Sequence, residues 1–89
     1  MEFFTYILQS EVDGSLYIGQ TNSLQDRINR HNRGYNKSTK SKKPWKLIFA
    51  KKFESRPAAC KTEKYLKSLK KQKAVFNWIQ DHRDVAQPG

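Results

Sequence analysis

Leu16-Tyr17-Ile18-Gly19-Gln20-Thr21-Asn22-Ser23-Leu24-Gln25-Asp26-Arg27-Ile28-Asn29-Arg30-His31-Asn32-Arg33-Gly34 changes its period halfway along. Leu16, Tyr17 and Ile18 carry β-favouring side chains and Gly19 interrupts them. Thr21, Asn22 and Ser23 then offer side-chain oxygens to the free N–H groups of a helix start. From Leu24 the spacing is helical: Leu24 and Ile28 share one face, Arg27 and His31 another, and Gly34 supplies a stop. The stretch predicts a strand feeding a helix, with Tyr17, Arg27 and His31 converging near the strand end. Those are a proton-transfer group, a phosphate binder and a second base. Each also has a plainer reading, the tyrosine as sheet surface and the Arg and His as a solvated helix face.

Upstream, Phe3 to Gln9 alternates as a strand with both faces apolar, Phe4, Tyr6 and Leu8 on one and Phe3, Thr5 and Ile7 on the other. Asp13-Gly14 signals a two-residue hairpin, and pairing across it puts Tyr6 and Tyr17 on one face. That register sets Tyr17 opposite Ser10, four residues or roughly 13 Å along the strand from Tyr6. Downstream, Tyr35 to Lys43 is a basic loop without period, closed by Pro44. Trp45 to Phe53 predicts a third strand with Trp45, Leu47, Phe49, Lys51 and Phe53 alternating on one side.

Ser55 as N-cap and Pro57 in the first turn predict a second helix to about Leu69, with Ala59, Thr62, Leu66 and Leu69 turned inward. Glu63 falls beside that buried stripe and away from the lysines of the helix. A carboxylate there serves either as a lysine's partner or as a ligand for a divalent cation, since Mg²⁺ accepts one or two carboxylates and completes its shell with water and phosphate. Residues 74 to 82 predict a short helix burying Val75, Phe76 and Ile79, and 83 to 89 a tail. The expected organisation is therefore one domain over 1–82.

The formal net charge is +10, and fourteen of the 18 Lys and Arg residues lie between positions 37 and 73 against two acids, which marks the middle of the chain as a polyanion-binding surface. A membrane surface fits less well, because the basic stretch has no strongly apolar opposite face. The single cysteine, Cys60, excludes an intrachain disulfide and a Cys-cluster zinc site. Neither a secretory leader nor a membrane-length apolar run is visible, so the expected location is cytoplasmic or nucleoid-associated.

Tyr17-Ile18-Gly19, preceded by Thr5-Tyr6-Ile7 at matching distance, resembles the paired motif of the GIY-YIG nuclease family, specifically its small stand-alone members. The resemblance continues through Thr21-Asn22-Ser23-Leu24, Arg27, His31-Asn32, Gly34, Pro44-Trp45-Lys46-Leu47 and Glu63-Lys64-Tyr65-Leu66-Lys67, covering the chain to about residue 70. It implies an α+β fold, a small three-stranded antiparallel sheet flanked by helices, and it matches Glu63 to the family's metal-binding glutamate. The family's late supporting asparagine has only a loose counterpart in Asn77.

The resulting expectation is a Mg²⁺-dependent endonuclease acting on DNA, with Mn²⁺ as an alternative cation. Tyr17 is the favoured base toward the attacking water, with Tyr6 positioning it or sharing the role. Arg27 stabilises phosphoryl charge, His31 assists proton transfer or binds phosphate, and Glu63 holds the metal. Lys37, Lys40, Lys42, Lys43, Lys64 and Lys67 are the expected backbone-phosphate contacts. Such contacts confer little sequence selectivity, so a structural preference or a partner protein supplying specificity is expected. The alternative is a basic nucleic-acid-binding module that keeps the fold without cutting.

Overall fold

The computed structural model describes residues 2–82, so the expected tail at 83–89 lies outside the described residues. Three strands, β1 (Phe3–Ser10), β2 (Leu16–Thr21) and β3 (Trp45–Phe53), form one antiparallel sheet in the order β2-β1-β3. The helices are α1 (Leu24–Arg33), α2 (Arg56–Ser68) and α3 (Gln72–His82), with a 3₁₀ turn at Lys40–Lys42. No helix among the described residues is long and apolar enough to cross a membrane.

The central strand is apolar on both sides because both sides are covered, and Tyr6, Ile7 and Leu8 are fully buried. Beneath α1, Tyr6, Leu8 and Trp45 pack with Tyr17, Leu24 and Ile28. On the opposite face, Ile7 and Phe49 pack with Leu66 of α2 and Val75 and Ile79 of α3. Each fully buried aliphatic side chain is worth about 1.5–3 kcal/mol of transfer free energy. Thr5 Oγ1, also buried, donates to the Ala59 carbonyl at 2.7 Å and pins α2 to the central strand.

Local signals act as their chemistry dictates at two helix ends. Ser55 Oγ accepts from the Ala58 N–H at the start of α2, and Gly34 takes the left-handed conformation (φ 81°) that ends α1. Ser23 makes no side-chain cap at the start of α1. Instead its N–H donates to Thr21 Oγ1 at 3.0 Å.

Two expectations need correction. Trp45 and Phe49 do not share a face. Ile7 pairs with Phe49 but Leu8 pairs with Leu47, so Ile48 is an extra residue, and this bulge turns Trp45 toward α1 and Phe49 toward α2 and α3. Phe76 is not core: α3 buries Val75 and Ile79, one turn apart, with Trp78 edge-on to Phe49 at 5.2 Å, and Phe76 points outward.

Candidate active site

The register of β1 against β2 decides whether the two tyrosines meet. Tyr6 lies opposite Gly19 and Leu8 opposite Tyr17, two residues tighter than a two-residue turn at Asp13-Gly14 allows. The connection is a five-residue loop, Glu11 to Ser15, closed by Ser10. The Ser10 N–H donates to the Ser15 carbonyl at 2.8 Å, its carbonyl accepts from Gly14 N–H at 3.0 Å, and its Oγ accepts from Val12 N–H at 3.0 Å. Asp13 Oδ1 accepts from the N–H and hydroxyl of Ser15. The separation expected from the sequence therefore disappears, and the Tyr6 and Tyr17 rings stand 6.2 Å apart. The Tyr6 phenol crosses over Gly19, occupying the space a side chain there would need.

The helix α1 presents its other functional face to this pair. His31 is fully buried, its Nε2 3.1 Å from the Tyr6 hydroxyl and its Nδ1 2.9 Å from Thr39 Oγ1, and its ring is 4.6 Å from that of the half-exposed Tyr17. Burial pushes the Tyr6 phenol above the ordinary 10.0, aided by Tyr17. The charge of the neighbouring Arg27 guanidinium opposes this, while the Glu63 carboxylate adds to the rise. Burial likewise pushes His31 below its ordinary 6.5, and the charges of Arg27 and Arg30 push it further. At neutral pH His31 is an uncharged imidazole able to accept a proton.

That depression has a consequence for stability. The unfolded chain binds a proton at His31 as pH falls through 6.5, whereas the folded chain resists it, so stability present above 6.5 is lost on going below it. Asp13, held down to about 2 by its bonds from Ser15, contributes only at lower pH, below 3.8. The urea midpoint is expected to fall between about pH 7 and about pH 5, and His31→Gln is expected to flatten that slope. A wild-type midpoint unchanged over this interval counts against a buried, neutral His31.

Arg27, Arg30, His31, Tyr35, Asn36 and Lys37 line a cavity of about 310 Å³ next to this cluster. Among the other expected phosphate contacts, Lys40, Lys43 and Lys64 are exposed, and Lys42 forms an exposed pair with Asp13 at 3.4 Å. Lys67 binds Glu63 at 2.7 Å, one helical turn away, and Glu63 itself is only 18% exposed. The structure thus brings Arg27, His31 and Lys37 together around one cavity, with Tyr6 and Tyr17 packed against His31. It places Glu63 within electrostatic reach of Tyr6, and it leaves Lys64 and Asn77 on exposed helix surface.

The donor chemistry can be tested against a cation. Among the described residues no three His, Cys, Asp or Glu side chains cluster, so a protein-caged ion or a zinc centre does not fit. One shielded carboxylate does fit a hard cation that draws its other ligands from water and substrate phosphate.

Thr39 was missed by sequence reasoning. It sits in the loop read as a row of lysines, and its burial (1% exposed) comes from tertiary anchors. Trp45 Nε1 donates to the Thr39 carbonyl at 2.9 Å, Ser10 Oγ to the Lys42 carbonyl at 2.6 Å, and Asn32 Nδ2 to the Trp45 carbonyl at 3.1 Å. The only sequence signal was a lone threonine among Asn, Ser and Lys.

Residues 2–77 match the family model described as the GIY-YIG catalytic domain. The chain is 39% identical over 82 residues to the UPF0213 protein YazA of Bacillus subtilis, covering 91% of this chain and 81% of that protein. It is 33% identical to the UPF0213 protein SAG0778 of Streptococcus agalactiae, with 91% of each chain covered. Its fold is similar to the solution NMR structure of the UPF0213 protein BH0048 from Bacillus halodurans, with a TM-score of 0.60 and 28% identity, covering 97% of this chain and 90% of that one.

Proposed function

Because the chain belongs to the GIY-YIG catalytic-domain family, we propose that it is a metal-dependent endonuclease that hydrolyses phosphodiester bonds in DNA with little sequence specificity. The observation that carries this reading is the hydrogen bond between Tyr6 and a buried, neutral His31, with Arg27 in the cationic cavity alongside. A solvated binding surface has no need of that pair, whereas phosphodiester hydrolysis needs a proton acceptor beside a charge-stabilising group.

In this mechanism Tyr17, the more exposed phenol, faces the attacking water. Tyr6 orients that water and relays its proton toward His31, an uncharged imidazole within hydrogen-bond distance of its hydroxyl. Arg27, with Arg30 and Lys37 along the cavity, stabilises charge on the phosphoryl oxygens. Glu63 is the residue to hold Mg²⁺ or Mn²⁺, which when bound supplies positive charge at the leaving oxygen. Lys40, Lys43 and Lys64 hold the DNA backbone, and Lys67, paired with Glu63 in this structure, would be free to join them if Glu63 held a cation. Phosphate contacts of this kind do not read bases, so selectivity rests on DNA structure or on a partner protein.

The test is cleavage of supercoiled plasmid, branched DNA and single-stranded DNA with Mg²⁺ or Mn²⁺, comparing wild type with Glu63→Ala. Cleavage by the wild type, with loss of roughly 100-fold or more in the variant and retained salt-sensitive binding, is the expected result. If both proteins bind alike and neither cuts any substrate, the chain is a binding module on a nuclease fold and the catalytic roles are withdrawn.

A further inference from the structure

Two bonds around the buried imidazole decide which of its nitrogens carries the proton. The Asn36 carbonyl, 3.3 Å from Thr39 Oγ1, gives the hydroxyl hydrogen an acceptor of its own, and that carbonyl also accepts the Thr39 N–H at 3.1 Å. Oγ1 therefore meets His31 Nδ1 as an acceptor, which requires Nδ1–H. On the other side of the ring the Tyr6 hydroxyl lies 3.1 Å from His31 Nε2, and with Nδ1 carrying the proton Nε2 is bare and accepts the phenol's hydrogen.

We propose that Thr39 is a positioning residue: it fixes His31 in the Nδ1–H tautomer, so that Nε2 stands ready to take the Tyr6 hydroxyl proton. The inference rests on the nuclease reading for its catalytic consequence, although the tautomer itself does not. In the relay the O–H bond of Tyr6 breaks and its proton goes to Nε2 while the phenol oxygen takes a proton from the attacking water, whose oxygen bonds to phosphorus as the ester oxygen leaves. The imidazolium keeps Nδ1–H donated to Thr39 and returns the Nε2 proton to the displaced oxygen through solvent. No further reactant is needed. With Nε2 protonated instead, the imidazole donates to the phenol oxygen and the phenol proton has no base.

Thr39 is suited to this by being fixed from three sides. Its carbonyl holds the Trp45 indole, its hydroxyl and N–H hold Asn36, and the loop around it is tied to Ser10 through Lys42. At 1% exposure it is shielded from substrate, so its effect on the chemistry passes through the residues it holds, His31 among them.

The experiment is a long-range ¹H–¹⁵N correlation spectrum of the imidazoles in the full chain at mildly alkaline pH, with His82→Gln used to assign the two histidines. Thr39→Ser and Thr39→Val are compared with wild type by this spectrum and by cleavage kinetics. Wild type and the serine variant are expected to show His31 as Nδ1–H. The valine variant, isosteric but without the hydroxyl, is expected to shift toward Nε2–H. Its kcat should fall roughly 10- to 100-fold with KM little changed, serine restoring both.

An Nε2–H tautomer in wild type overturns the proposal, as does a valine variant that keeps Nδ1–H or that shifts its tautomer without losing kcat. If the valine variant does not fold, the other two spectra decide: Nδ1–H in both supports the assignment and Nε2–H in either sinks it. The tautomer is read whether or not the wild type cuts DNA, so an absence of cleavage counts against the nuclease and leaves this assignment to its own spectrum.

Discussion

Replacing Gly19 by alanine is expected to lower cleavage by roughly 100-fold or more while the chain still folds. An added Cβ would lie 2.6 Å from Tyr6 Oη, 2.8 Å from Cζ and 3.1 Å from Cε1, separations a methyl group cannot hold. No backbone strain is involved, because Gly19 is an ordinary strand residue paired with Tyr6. The flexible end of a tyrosine could usually yield, but this ring is fully buried and its hydroxyl is tied to His31. Relief therefore means swinging the phenol off Nε2 or parting the two strands, at about 1–3 kcal/mol for an overpacked site. The check is kcat and Tm for Gly19→Ala, Tyr6→Ala and the double variant. If the methyl acts only by moving the phenol, it should cost little more once Tyr6 is already truncated. Gly19→Ala cutting within a few-fold of wild type would show that the placement of the Tyr6 hydroxyl is not required.

Arg27→Ala is expected to cost roughly 100- to 1,000-fold in kcat, the usual scale for removing a donor aimed at developing charge. It should also leave a second signature. Burial is the main reason His31 resists protonation, and Arg27 is the larger of the two cations that add to it. Without Arg27 the imidazole pKa moves up toward 6.5, so the acidic limb of the residual activity is expected at higher pH than in wild type. Arg27→Lys keeps the charge and loses the planar fork. It should leave the limb near its wild-type position while recovering only a small part of kcat. An acidic limb that stays put in Arg27→Ala, or moves to lower pH, would separate Arg27 from the His31 titration and remove it from this role.

Glu63 and Lys67 show how far spacing can carry an argument. Their positions on one helix predicted a carboxylate beside the buried stripe, and it is there, shielded and within reach of Tyr6. The expectation that Glu63 stands away from the lysines of its helix is corrected: Lys67, four residues on, shares its face and binds it at 2.7 Å. The basic loop shows the opposite case. Its composition announced phosphate contacts but concealed Thr39, whose burial depends on a tryptophan in β3 and a serine in β1.

What the sequence determined by itself is whatever local chemistry and alternation impose. The strand and helix order, the Ser55 cap and the left-handed Gly34 stop follow from short-range patterns. So does the sharing of one sheet face by Tyr6 and Tyr17. Side chains alternate with period two, so that parity holds for any register shifted by an even number of residues. The tertiary structure alone decided the distances. The two-residue change of register came from the hydrogen bonds of Ser10, the split of Trp45 from Phe49 from one extra residue at Ile48, and the His31 tautomer from a hydroxyl eight residues further along the chain. Each depends on partners that meet only when the sheet and α1 close on one another, and local sequence carries no energy term for a contact that has not yet formed.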